Sequence, residues 1–151
     1  MACQTRTNPG TRRTKQKGYR FRLCALSSDI ETTEHILLHC PFAKDVWSHV
    51  FHWCKFGNVS FSSLEEMFEG QKPSSQSPSK SFLWQPIEWT CGYTIWRNRN
   101  LAIFQKKKGN GPMTLDEIQV KSFEWISKRS KACSLDWNQW LLNPSIQDDH
   151  G

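Results

Sequence analysis

The stretch LCALSSDIETTEHILLHCPFAKDVWSHVFHWC, residues 23 to 54, passes from polar residues to a repeating apolar pattern that is typical of helices. Thr32 or Thr33 can cap the first helix, because a threonine hydroxyl accepts a hydrogen bond from an amide of the first turn. The apolar stripe that follows consists of Ile36, Leu37 and Cys40. This spacing predicts a short helix with one buried face.

Pro41 interrupts that pattern, since proline lacks an amide hydrogen and clashes with the preceding turn. Proline is favourable in the first turn of a new helix, so we predict a second helix from about Phe42 to Cys54. Its apolar positions predict one buried face, with Trp47 at the edge. The residues on that face are Val46, Val50, Phe51 and Cys54.

Further helix signals follow along the chain. Ser63 and Glu66 match a capping box, which predicts a short helix that ends at Gly70. Residues 71 to 81, rich in serine and proline, predict a flexible loop. A long helix is predicted after Pro86, with these residues near one face: Trp89, Gly92, Trp96, Asn100, Ile103 and Phe104. Three lysines, Lys106 to Lys108, close its last turn, where cations suit the exposed carbonyl groups.

Thr114 and Glu117 match a second capping box, which predicts a helix from there to about Lys131. The segment LDWNQWLLNPS, from residue 135 to 145, predicts a short helical turn or an edge segment. No run with the two-residue alternation of a strand is present. We therefore expect a mainly α fold: a small helical domain over residues 23 to 144, with a zinc-knuckle-like N-terminal turn, and a short tail at 145 to 151.

Positive charge is concentrated at the N-terminus. The chain of 151 residues carries a formal net charge of +6, and residues 1 to 22 contain seven basic side chains and no acid. They are Arg6, Arg12, Arg13, Lys15, Lys17, Arg20 and Arg22. Such a basic arm suits contact with the phosphates of RNA or DNA, and a solvated, disordered terminus has the same composition.

Six cysteines would indicate disulfides in a short secreted chain. No apolar secretory signal precedes them, so we expect a reducing compartment, nuclear or cytoplasmic, and no secretion. The sequence also lacks an apolar run of about 18 residues, so no membrane association is expected.

Cys24, His35 and Cys40 are spaced as in a zinc site with one ligand missing. Two residues separate Cys24 from position 27, seven separate position 27 from His35, and four separate His35 from Cys40. A cysteine at position 27 would complete three thiolates and one imidazole, the ligands of a tetrahedral structural zinc. Ser27 stands there, and a neutral hydroxyl is a poor zinc ligand. His39, one helical turn after His35, is a possible substitute. The alternative is a helical histidine with two buried cysteines and no metal.

Several motifs in order carry a resemblance to a known family. They are IETTEHILLHCPFAKDVW after Cys24, then Trp89, Trp96, the RNRN run and Phe104, and more weakly SFEWISKRSK and Trp137, Trp140 and Pro144. Together they resemble the zinc-binding domain that follows the reverse transcriptase in plant LINE-type (non-LTR) retrotransposons, over about residues 19 to 144. The resemblance implies zinc on Cys24, position 27, His35 and Cys40, and Ser27 departs from it.

The resemblance implies an accessory, non-catalytic module that assists nucleic-acid binding beside a reverse transcriptase in the parent element. Basic residues expected to attract phosphate, besides the arm, are Arg97, Arg99, Lys106, Lys107 and Lys108. The alternative is a metal-free, degenerate helical remnant that serves as a protein-interaction module or has no function; the protein partner is unknown.

Tryptophans are unusually frequent, eight in the chain, and two roles are open for seven of them: Trp47, Trp53, Trp89, Trp96, Trp125, Trp137 and Trp140. They can stack on unpaired bases or fill the core. We expect core positions, because tryptophan at helical spacing dominates burial.

Overall fold

The computed structural model describes residues 32–57, 59–69, 78–107, 109–129 and 134–144, and every regular element in them is helical. This confirms the predicted mainly α class. The elements are a π-helix (His35–His39), α1 (Pro41–Trp53), α2 (Leu64–Glu69), α3 (Pro78–Gln105), α4 (Gly111–Arg129) and α5 (Trp137–Leu142). The predicted basic arm, residues 1 to 22, and the tail, 145 to 151, lie outside the described residues.

Helix α1 lies at the centre of the fold and matches its predicted bounds. Pro41 occupies the first helical position, where its missing amide costs nothing. Trp47, predicted at the edge of the buried face, is instead buried. Its indole Nε1 donates to the carbonyl of Leu37 at 2.8 Å, which satisfies the one polar group of the ring. The helix therefore packs against α3 and α4 and also holds the π-helix in place.

Aromatic side chains fill the core in two groups. The first group surrounds Trp84 and consists of Trp47, Phe51, Phe56, Phe61 and Trp84, with ring centroids 5.0 to 6.5 Å apart. In the second group, Trp140 packs edge-on against Trp53 at 5.4 Å, and Phe123 joins them. The indole of Trp53 donates to the carbonyl of Trp140, and that of Trp140 to the carbonyl of Gln119. These bonds fasten α5 to α1 and α4.

Helix α3 begins at Pro78, inside the stretch predicted as a loop and well before Pro86. The prediction that the loop reaches residue 81 and that the helix begins after Pro86 is therefore wrong; residues 71 to 77 lie outside the described part. Leu83, Trp84 and Ile87 are buried around the proline. Their burial offsets the cost of about 3 kcal/mol that an interior proline imposes on a helix.

The expectation that the tryptophans are core residues is confirmed for Trp47, Trp53 and Trp140 and wrong for three others. Trp89 is 62% exposed and Trp96 is 50% exposed. Trp125 is exposed as well. The inward side of α3 is occupied by other residues, so the side that carries Trp89 and Trp96 faces away from the core.

The first predicted capping box is confirmed in one of its two bonds, since the carboxylate of Glu66 accepts from the amide of Ser62 and not from that of Ser63. The Ser63 hydroxyl accepts from the amide of Glu66 at 3.1 Å, ahead of α2. Thr114, by contrast, lies inside α4 and donates its hydroxyl hydrogen to the carbonyl of Asn110 at 2.7 Å, so the second box is wrong. The Asn110 carboxamide oxygen accepts from the amide of Met113 and provides the cap. Helix α4 packs against α1, and it begins at Gly111, three residues before Thr114.

Candidate metal centre

The π-helix at His35–His39 joins two of the predicted metal residues through their backbones. The amide of Cys40 donates to the carbonyl of His35 at 2.7 Å. Because a π-helix bonds residue i to i+5, Cys40 is the residue that returns to His35 after one turn.

His35 is anchored through its backbone. Its amide donates to the hydroxyl of Thr32 at 3.1 Å, which confirms the predicted threonine cap. The ring Nε2 of His35 is buried and has no hydrogen-bond partner among the described residues. A buried polar atom without a partner costs about 1 to 3 kcal/mol, so a ligand at this nitrogen would recover free energy.

Cys40 is held in an extended conformation between the π-helix and α1, with φ of −59° and ψ of 138°. The following Pro41 explains this, because the residue before a proline is restricted to the extended region. The side chain is 3% exposed. The sequence therefore places a buried thiol at the junction beside the His35 turn.

His39 is engaged elsewhere. Its Nε2 lies 3.4 Å from a carboxylate oxygen of Glu34, and both side chains are more than a third exposed. The other carboxylate oxygen of Glu34 accepts from the amide of Leu64 at 3.4 Å. His39 therefore belongs to a surface contact between the π-helix and α2.

The remaining predicted ligand positions, Cys24 and Ser27, lie outside the described residues. Within the described part of the chain, no group of three or more histidine, cysteine, aspartate or glutamate side chains could hold a metal ion. The structure thus joins two of the predicted metal residues, His35 and Cys40, through a backbone hydrogen bond, while the ring of His39 contacts Glu34.

The predicted phosphate contacts of the domain fall into two groups. The guanidinium of Arg97 is paired with the carboxylate of Glu117, which also binds Lys121. Burial by itself would raise the pKa of Glu117, but hydrogen bonding and charge from Lys121 and then Arg97 hold it below its usual value. Arg99 donates from Nη1 to Asn100 Oδ1 at 3.0 Å. These two arginines therefore already have protein partners.

Lys106 and Lys107 lie exposed just after α3. The other predicted contact positions are outside the described residues, namely Arg12, Arg13, Lys15, Lys17, Arg20, Arg22 and Lys108. Lys106 and Lys107 are therefore the solvent-exposed members of the predicted contacts within the described residues.

Sequence reasoning missed a buried acid, Glu88. Its side chain is 5% exposed, and burial raises its pKa to about 7. Burial also raises the pKa of the neighbouring Cys91 thiol, and the charges of Cys54 and Glu88 raise it further. The sequence did not reveal this acid, because α3 is apolar on two sides and only the packing shows that Glu88 lies on the buried side with Trp84 and Cys91.

Comparison with protein-family models, curated proteins and solved structures gave no match. Among the described residues, no helix is long and apolar enough to cross a membrane.

Proposed function

We propose that this chain is a non-catalytic zinc-binding-like module, of the kind that follows the reverse transcriptase in plant LINE-type retrotransposons, and that it assists nucleic-acid binding. The observations that carry the proposal are the buried Nε2 of His35, which has no partner among the described residues, and the burial of Cys40, whose amide donates to the His35 carbonyl. A neutral imidazole and a cysteine thiolate are the two ligand types that structural zinc sites combine.

The donor chemistry fits zinc at this turn. His35 and Cys40 would supply two ligands, and Cys24 would supply a third from the segment that precedes the described residues. Zinc would act as a cross-link between these segments, and its binding free energy would add to the folding free energy. Ser27 leaves the set one thiolate short of the family pattern, so water or another residue would complete it.

Charge supports the nucleic-acid part of the proposal. The arm of residues 1 to 22 and the exposed Lys106 and Lys107 are available for phosphate. Arg97 contributes less, because Glu117 neutralises it. Affinity should therefore depend mainly on the arm, through the release of counterions.

Zinc stoichiometry tests the metal. Native mass spectrometry of the reduced full chain should give one zinc per chain, which His35→Ala should abolish and His52→Ala, a change of an exposed histidine on α1, should preserve. Ser27→Cys should tighten binding, because it restores a thiolate. Absence of zinc from both the wild-type chain and Ser27→Cys would refute the metal site and favour the metal-free helical remnant.

Salt dependence tests the nucleic acid. Fluorescence anisotropy with labelled single-stranded RNA and DNA should show affinity that falls steeply from low to moderate salt. Replacing Arg12, Arg13, Lys15 and Lys17 together by glutamine should reduce the slope of log K against log salt by about 0.7 for each phosphate that the arm no longer neutralises. Lys44→Gln, an exposed change on α1, serves as the control. Binding that does not change with salt, or no binding, would refute this part.

A further inference from the structure

The outward face of α3 carries a row of large apolar side chains in solvent. Trp89, Tyr93, Trp96 and Ile103 are 62%, 53%, 50% and 39% exposed. Asn100 lies within the row, and we call these five residues the α3 seam. Clusters of exposed aromatic side chains on one surface of a soluble protein mark contact sites for other macromolecules.

The spacing of the α3 seam indicates what kind of partner fits. Its members follow each other at intervals of four, three, four and three residues. This is the alternation by which one helix of a coiled coil faces another. The seam is therefore suited to a second helix.

The seam is complementary to itself when two copies run in opposite directions. In a two-fold symmetric contact, residue i faces residue j and j faces i. Counted from position 98, Trp96 and Asn100 are equally distant, and so are Tyr93 and Ile103. Each pair sets a large aromatic ring against a smaller side chain.

Charge favours the same orientation. Phe68 of α2 packs on Trp89 with ring centroids 5.7 Å apart and brings the α2 carboxylates, Glu65 and Glu69 among them, to that end. The opposite end carries the exposed Lys106 and Lys107. An antiparallel pair joins acidic and basic ends, whereas a parallel pair would set like charges together.

The same charges disfavour a nucleic-acid strand along the seam. Carboxylates at the Trp89 end would repel phosphates, and the cations beside the row, Arg97 and Lys121, are both bound to Glu117. We propose that the α3 seam is the interface of an antiparallel homodimer with its two-fold axis level with position 98. This inference does not depend on zinc.

Sedimentation velocity of the full chain, from low to high micromolar concentration, tests the dimer. The mass should rise with concentration towards twice 17.7 kDa. Trp96→Glu should give a monomer at every concentration with unchanged helical circular dichroism, because its ring is half exposed in the single chain. Leu142→Glu, which alters an exposed apolar residue at the end of α5, should leave the dimer intact.

Charge reversal and cross-linking test the orientation. Glu69→Lys and Lys107→Glu should each weaken the dimer severalfold, and together they should restore it. Chains with Tyr93→Cys should form disulfides with chains carrying Ile103→Cys, identified by peptide mass spectrometry, in preference to disulfides among themselves.

A chain that stays monomeric at all concentrations would overturn the proposal. Cross-linking of Tyr93→Cys chains mainly to each other would overturn the antiparallel arrangement. A monomer that binds single-stranded RNA and loses that binding with Trp96→Glu would assign the seam to unpaired bases instead.

Discussion

The two faces of α3 carry the same types of side chain in opposite environments. On the inner face, Trp84 is 8% exposed and Ile87 and Ile95 are fully buried. On the outer face, Trp89 is 62% exposed although it lies only five residues after Trp84. Five residues correspond to about 140° around an α-helix, so the two tryptophans point to nearly opposite sides.

Angular position around the helix, and not residue type, therefore decides which side chains of α3 are buried. Trp84, Ile87, Cys91 and Ile95 recur at intervals of three, four and four residues, which keeps them against α1 and α4. The outer row keeps its own regular spacing. A helix that is apolar on two sides is expected where both sides have a partner.

Replacing a tryptophan on each face should give the largest contrast. Trp84→Ala should lower the free energy of unfolding by about 3 to 5 kcal/mol, because it removes the ring at the centre of the first aromatic group and leaves a cavity. Trp89→Ala should lower it by about 1 kcal/mol or less, since its ring packs mainly on Phe68.

Urea unfolding at a concentration that favours the single chain would measure both changes. Trp53→Ala provides a second inner tryptophan for comparison, and its indole bond to the carbonyl of Trp140 makes a similarly large loss expected. Equal losses for Trp84→Ala and Trp89→Ala would contradict the assignment of the two faces.

Glu88 should make the inner face sensitive to pH. Its pKa is raised from 4.5 to about 7 in the folded chain, so between these values the folded state binds a proton that the unfolded state releases. The contribution of Glu88 to stability should therefore fall as pH rises from about 4.5 to 7 and stay low above that. The full loss corresponds to about 3 kcal/mol.

Glu88→Gln should remove this dependence, because the amide stays neutral. The difference in unfolding free energy between the variant and the wild-type chain should be small at pH 4.5 and reach its maximum above pH 7. Ser48→Ala, which changes an exposed side chain of α1 that carries no titratable group, should show a constant difference over the same range. A Glu88→Gln difference that is equally constant would rule out a raised pKa.

Local signals predicted most of the helices. The bounds of α1 follow from Pro41 and from the apolar spacing of Val46 and Val50, both of which are properties of neighbouring residues. The start of α3 was missed because the proline signal at Pro86 is local, whereas the burial of Leu83 and Trp84 that outweighs it depends on α1. The direction of Trp89 could not be predicted for the same reason, since two apolar faces leave the inner one undetermined.

Less of the candidate metal site than of the helices could be predicted. Spacing pointed to His35 and Cys40, and the structure joins the two residues through a backbone hydrogen bond. The π-helix that ends with this bond differs from an α-helix by one residue per hydrogen-bonded ring, and the sequence pattern of the segment does not distinguish the two. His39 was expected as a substitute ligand, whereas its Nε2 lies 3.4 Å from a carboxylate oxygen of Glu34, a contact that spacing alone does not predict.

Gly92 offers the smallest and most local test, because it lies between the two faces of α3. Nothing in the single chain lies within 4 Å of the position that a Cβ would occupy. Gly92→Ala should therefore raise the free energy of unfolding by about 0.8 to 1 kcal/mol through helix propensity alone.

At Gly111, the first residue of α4, an added Cβ would collide with the carboxylate of Asp45, so the same substitution there should bring no gain or a loss. Urea unfolding of both variants at low concentration provides the measurement. A loss of stability in Gly92→Ala would mean that the boundary between the faces is already filled, and the outer face would then be part of the core.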